Sequence, residues 1–155
     1  MSHIHFVGGE KGGVGKSVTA RLLAQWFIDR GHSFAAIDAD QSHGVLLRFY
    51  AEYTRPVDLT QQDSADQIMD RALGADRQVL VDLPGQSIRP LHAWLTGADI
   101  LQFAQEMGVG FSFWHVRRGR GVSRCTSWYF ASCQLLYGRR SFGRLPAIAH
   151  PPRDS

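Results

Sequence analysis

Gly8-Gly9-Glu10-Lys11-Gly12-Gly13-Val14-Gly15-Lys16-Ser17 is the stretch on which the reading of this chain turns. A short apolar run, residues 4–7, precedes it, and a helical pattern begins at Lys16. Strand, glycine-rich turn and helix in that order form a phosphate-binding loop. Glycines let successive backbone N–H groups curl into a concave nest for phosphate oxygens. The positive end of the following helix adds to the attraction for an anion. In such a loop Lys16 reaches the β- and γ-phosphates, and the Ser17 hydroxyl ligates Mg²⁺. A glycine-rich turn alone is only a turn, but here strand, nest, Lys-Ser pair and helix coincide. The only two lysines of the chain, Lys11 and Lys16, both lie in this loop; every other basic side chain is arginine.

The usual spacing G-x-x-x-x-G-K-[ST] needs a glycine at position 10, where Glu10 stands. The chain instead reads K-G-G-x-G-K-S, with Lys11 as an extra lysine. That form resembles the deviant loop of the ParA/MinD group of P-loop ATPases, and the resemblance runs from about residue 3 to residue 116. It implies ATP or ADP with Mg²⁺ as ligands, lined by Gly12, Gly13, Val14, Gly15, Lys16, Ser17 and Val18. It further implies slow hydrolysis that controls a nucleotide-dependent homodimer, with Lys11 reaching across to the partner's nucleotide. A ParB-like partner protein and a task in plasmid partition, maintenance or mobilisation follow from the same resemblance.

Bulk properties set the frame. A chain of 155 residues is long enough for one domain with a real core. A hydrophobic share of 44% with 20% charged residues is ordinary for a globular protein. No apolar run is long enough to span a membrane, and no signal peptide is evident. Cys125 and Cys133 fit no metal or redox spacing, so a reducing cytoplasm is the expected compartment. The net charge of +3 hides an asymmetry, with an excess of acids before residue 117 and eight arginines against Asp154 alone after it.

Downstream of the loop, strand and helix signals alternate, as in a mostly parallel, doubly wound α/β sheet of P-loop NTPase type. A helix is expected over 16–30, with Val18, Leu22, Leu23, Trp26, Phe27 and Ile28 apolar and Arg21, Gln25 and Asp29 as a polar stripe. Gly31 is its natural stop. The run 33–38 is a buried strand delivering Asp38-Ala39-Asp40 at its carboxyl end, where α/β sheets collect their chemistry. By resemblance this is the first switch: Asp38 holds the Mg²⁺ shell and Asp40 helps position the attacking water. The plain alternative is that the two acids cap the next helix. A helix over 45–53, an edge strand over 57–59 and an amphipathic helix over 64–73 follow. The run 78–82 then brings Asp82 to the metal's water shell, as a Walker B strand does. Asp82-Leu83-Pro84-Gly85 fits D-x-x-G, in which the Gly85 N–H meets the γ-phosphate. Helices over 87–95 and 98–107, with Ser87 and Asp99 as candidate caps, lead to a strand over 109–116.

After Val116 the character changes. The pattern divides the chain into a nucleotide-binding domain, residues 1–116, and a basic tail, residues 117–155, with a helix over 123–137. Arginines interleaved with aromatics suit nonspecific DNA contacts through phosphates and stacking. Relatives of the ParA/MinD type continue with further βα units, so a sheet truncated after its fourth or fifth strand, by a shortened or frame-shifted gene, is the expected source of the break. Two further readings remain open on the residues: a truncated nucleotide-binding module without hydrolysis, and a P-loop synthetase or small-molecule kinase. His3 and His5 share one face of the first strand but have no third ligand for a metal.

Overall fold

Residues 1–9, 13–97, 99–117 and 121–125 are described by the computed structural model, with backbone alone for Arg117 and residues 121–125. The apolar runs become β1 (His3–Gly8), β2 (Phe34–Asp38), β4 (Gln78–Asp82) and β5 (Gly110–Arg117). A run such as Phe34–Asp38, buried at every position, needs cover on both faces of its sheet. It finds that cover in a six-stranded sheet, which adds β3 (Thr54–Pro56) and β6 (Gly121–Cys125) in the order β3-β2-β4-β1-β5-β6. The first five strands are mutually parallel, and β6 (Gly121–Cys125) runs antiparallel to β5. Described strands therefore continue past residue 116. Residues 123–125 of the expected helix belong to β6; the remainder of that helix and the rest of the tail lie outside the described residues.

Helices cover both faces. α1 (Lys16–Asp29) and α2 (Val45–Phe49) share a core with Val7, Phe34, Ala36 and Leu80. α3 (Gln62–Leu73), α4 (Ile88–Gly97) and α5 (Ile100–Glu106) enclose Ile4, Phe6, Val79 and Val81 on the other face. Phe6 stacks between the rings of Phe111 and Phe113, at 6.0 and 5.1 Å. The Trp94 indole N–H of α4 donates to Asp66 Oδ1 of α3 at 2.8 Å, tying two helices of that layer together.

Two local expectations change. On α1 the buried stripe is Ala20, Ala24 and Phe27, whereas Val18, Leu22 and Trp26 point outward. Alanines let the helix lie close to the sheet, a fit that bulkier side chains would block. The helix then ends in a Schellman motif: Gly31 takes φ 65°, its N–H meets the Ile28 carbonyl, and the His32 N–H meets that of Phe27. The helix expected over 45–53 stops at Phe49, and the edge strand is β3 (Thr54–Pro56) rather than 57–59. Tyr53 explains both shifts. Its ring stacks on Phe34 at 4.6 Å and its carbonyl accepts from the Ala36 N–H at 2.8 Å, which draws the chain to the sheet edge. Pro56, lacking an N–H, is tolerated there because β3 is the edge. Val57 and Leu59 instead bury their side chains in the core.

Candidate functional site: a nucleotide-binding pocket

The strand order places β1 beside β4, although β1 connects through α1 to β2 on one side and β4 connects to β5 on the other. Neighbouring strands whose connections leave in opposite directions open a crevice at their carboxyl ends, and ligands bind there. The glycine loop follows β1 and Asp82 closes β4, so both flank that crevice.

Gly13 and Gly15 take φ of 70° and 99°, and a side chain added at either would enter open space. The loop thus needs glycine there for its backbone shape, not for room. Gly9 is different: a Cβ would come within 2.6 Å of the Val116 carbonyl, so loop and β5 touch through it. Nothing in the motif singled out Gly9. Gly15 is the N-terminal cap of α1, which places Lys16 and Ser17 in the first turn, with Lys16 buried. Val18, expected to line the nucleotide, sits in the same first turn with its side chain exposed. Glu10, Lys11 and Gly12 lie outside the described residues.

The three acids come together, but in different states. Asp82 is fully buried, and among the described residues neither of its carboxylate oxygens has a hydrogen-bond partner. Its pKa is pushed up to about 7, first by burial; the neighbouring Ser17 hydroxyl and Lys16 pull it down, while Asp38 and Asp40 push it up. Ser17 is close enough to act on Asp82 without the geometry of a true hydrogen bond. A buried carboxylate left without partners is costly. A hard cation with its waters supplies the missing partners, and Mg²⁺ typically needs only one or two carboxylates beside substrate phosphates. The residues present therefore fit Mg²⁺, held by Ser17 and Asp82 with Asp38 nearby. Among the described residues no cluster of three or more His, Cys, Asp or Glu side chains could hold a metal on its own.

Asp38 is also buried, yet well supplied. Its Oδ1 accepts from the Asp40 N–H at 3.2 Å, and its Oδ2 accepts from the Leu46 and Leu47 N–H groups at 2.8 and 3.2 Å. It holds the first-turn amides of α2, whose cap position is Gly44, so the plainer reading that the two acids cap this helix fits Asp38 but not Asp40. Burial raises its pKa, and those three amides oppose the rise. Asp40 accepts from the Ser42 N–H at 3.1 Å through Oδ1, while Oδ2 meets His43 Nδ1 at 3.1 Å.

Gly85 lies exposed just beyond Asp82, with open space around it. The next residue, Gln86, takes φ 60°, in the left-handed region that non-glycine residues avoid. Ser87 precedes α4 and its carbonyl accepts the Leu91 N–H. Asp99 caps α5 by position at φ 48° with no side-chain hydrogen bond. His5, within β1, accepts from the Trp114 indole N–H at Nδ1 and therefore donates from Nε2 to Gln78, a role in packing.

A parallel sheet with a phosphate-type glycine loop at its switch point and a strand-borne acid beside it defines a P-loop nucleotide-binding domain. Residues 5–114 match the family described as the CobQ/CobB/MinD/ParA nucleotide binding domain, and the chain belongs to that family. It is 29% identical over 113 residues to Protein TraL of Escherichia coli, covering 70% of this chain and 47% of that protein. A second Escherichia coli TraL is 28% identical over the same length. Protein MobD of Acidithiobacillus ferrooxidans is 36% identical over 63 residues, 41% of this chain and 27% of that protein. The chain thus spans about half the length, or less, of the curated relatives it matches.

Proposed function

We propose that the chain binds Mg-ATP at this crevice and hydrolyses it slowly, with nucleotide state controlling a homodimer. The observation that carries the proposal is the unpartnered, buried Asp82 carboxylate beside Lys16 and Ser17. Phosphoryl transfer asks chiefly for positioning and neutralisation of charge. The loop amides and Lys16 hold the β- and γ-phosphates; Ser17 and Asp82, with Asp38 behind them, hold Mg²⁺, which neutralises charge on the phosphate oxygens. Asp40 positions the attacking water, and the Gly85 N–H meets the γ-phosphate. Lys11 reaches the nucleotide of a second subunit. Plasmid partition, maintenance or mobilisation is the proposed setting, with a ParB-like partner and with DNA contacts through the arginine-rich residues 117–155. Family membership and the basic charge of that segment support this. No helix among the described residues is long and apolar enough to cross a membrane.

Calorimetry with Mg-ATP tests the reading. Binding is expected for the chain as it stands and is lost in Lys16→Ala; equal binding by both would sink the proposal. Lys11→Ala keeps binding and loses dimer-dependent turnover, and unchanged turnover there counts against the role across the dimer.

A further inference from the structure

We propose that His43 is the group that takes the proton from the attacking water, and that Asp40 acts through it as a positioning residue. The proposal rests on hydrolysis at this site as set out above. Both Asp40 carboxylate oxygens are already engaged, Oδ1 by the Ser42 N–H and Oδ2 by His43 Nδ1. Asp40 itself is buried, whereas His43 is 72% exposed at the same rim of the crevice. The turn that carries the imidazole is closed by two more bonds, since the Asp40 carbonyl accepts the His43 and Gly44 N–H groups at 3.1 and 2.9 Å. The ring is therefore fixed at both its backbone and its Nδ1. Because a carboxylate only accepts, Nδ1 carries the hydrogen, and in the neutral ring Nε2 then has the lone pair. A base oriented by a buried carboxylate is the arrangement that activates nucleophiles elsewhere.

Asp40 also belongs to the charge cluster of the site, since it acts electrostatically on both Asp38 and Asp82. The Asp40 N–H on Asp38 and the Ala39 N–H on the Asp82 carbonyl put this segment at the acid cluster, and His43 is hydrogen-bonded to its Asp40. In the step, the water oxygen bonds to the γ-phosphorus while the bond from that phosphorus to the bridging β-oxygen breaks, and its electron pair leaves with ADP. The water proton passes to His43 Nε2, and from the exposed ring to solvent.

Phosphate release and Mg-ATP calorimetry are measured on the full chain for wild type, His43→Ala and Asp40→Asn. His43→Ala lowers kcat on the order of 100-fold, and added imidazole restores part of it. Its affinity for ATP stays within about 2-fold, a split that a structural lesion would not give. Asp40→Asn lowers kcat less, because the ring remains. Unchanged turnover in His43→Ala, or a loss that imidazole does not relieve, overturns the role of His43. Binding without any turnover in the wild type overturns the hydrolysis reading and this proposal with it.

Discussion

Asp38 and Asp82 stand opposite each other at the ends of β2 and β4, paired in register in one parallel ladder. Both close an apolar run, both are buried, and burial raises the pKa of both. They differ in what surrounds the carboxylate. Asp38 accepts three backbone N–H groups and anchors the start of α2, whereas Asp82 accepts none. The same residue type in the same strand position thus meets two surroundings: one carboxylate ties down the fold, and the other is left without a hydrogen bond among the described residues. Asp38→Ala puts this to the largest test. It orphans three N–H groups at buried or half-buried positions, each worth about 1 kcal/mol or more, so urea denaturation is expected to show a loss of about 3 kcal/mol.

Asp82→Asn moves stability the other way. Removing a charge whose pKa sits near 7 relieves a net cost of roughly 4 kcal/mol above that pH, burial foremost, and the poorly partnered amide that replaces it takes back about half. A net gain of about 1–2 kcal/mol at pH 8 is expected, together with loss of Mg²⁺-dependent ATP binding. If both substitutions destabilise alike, the contrast between the two acids is broken.

The pH dependence sharpens the same contrast. A raised folded-state pKa means that the native protein keeps the Asp82 proton after the unfolded chain has lost it. Nucleotide-free stability therefore falls as pH rises from about 4 to about 7, and levels off above that. Asp82→Asn flattens most of the fall. A smaller slope remains from Asp38, shifted in the same direction but held back by its amides. Equal slopes in wild type and Asp82→Asn would show that the burial of Asp82 is not the cause.

The strands and the meeting of Lys16, Asp38, Asp40 and Asp82 were legible in the sequence, because an apolar run closed by an acid says both that the run is buried and which end carries the chemistry. The partners of those acids were not. Whether Asp38 caps α2 depends on Leu46 and Leu47 lying one tight turn away, a matter of tertiary geometry. His43 stood among scattered histidines, and only the folded turn 40–44 brings its ring to Asp40. On α1, hydrophobicity pointed to Val18, Leu22 and Trp26, yet closeness of approach selected Ala20 and Ala24. Apolar character predicts burial only where there is space for the side chain.

The turns that follow the two acids differ as well, and give the smallest effect. The turn after Asp38 puts its left-handed residue at Gly44, φ 52°, where glycine adopts it freely. The turn after Asp82 puts Gln86 at φ 60°, which strains a residue with a Cβ by about 1 kcal/mol. Gln86→Gly removes that strain but loosens the unfolded chain by nearly as much, so a gain of only about 0.5 kcal/mol is expected. Gly44→Ala has the opposite sign, and because the stiffer unfolded chain offsets part of the strain, it costs only about 0.5 kcal/mol. The informative readout is turnover. A backbone held off its minimum beside Gly85 and Asp82 persists only where the surroundings enforce it. If Gln86→Gly gains stability and loses hydrolysis together, the strain serves the switch; a gain with full activity makes it a by-product of packing Leu83 and Ser87.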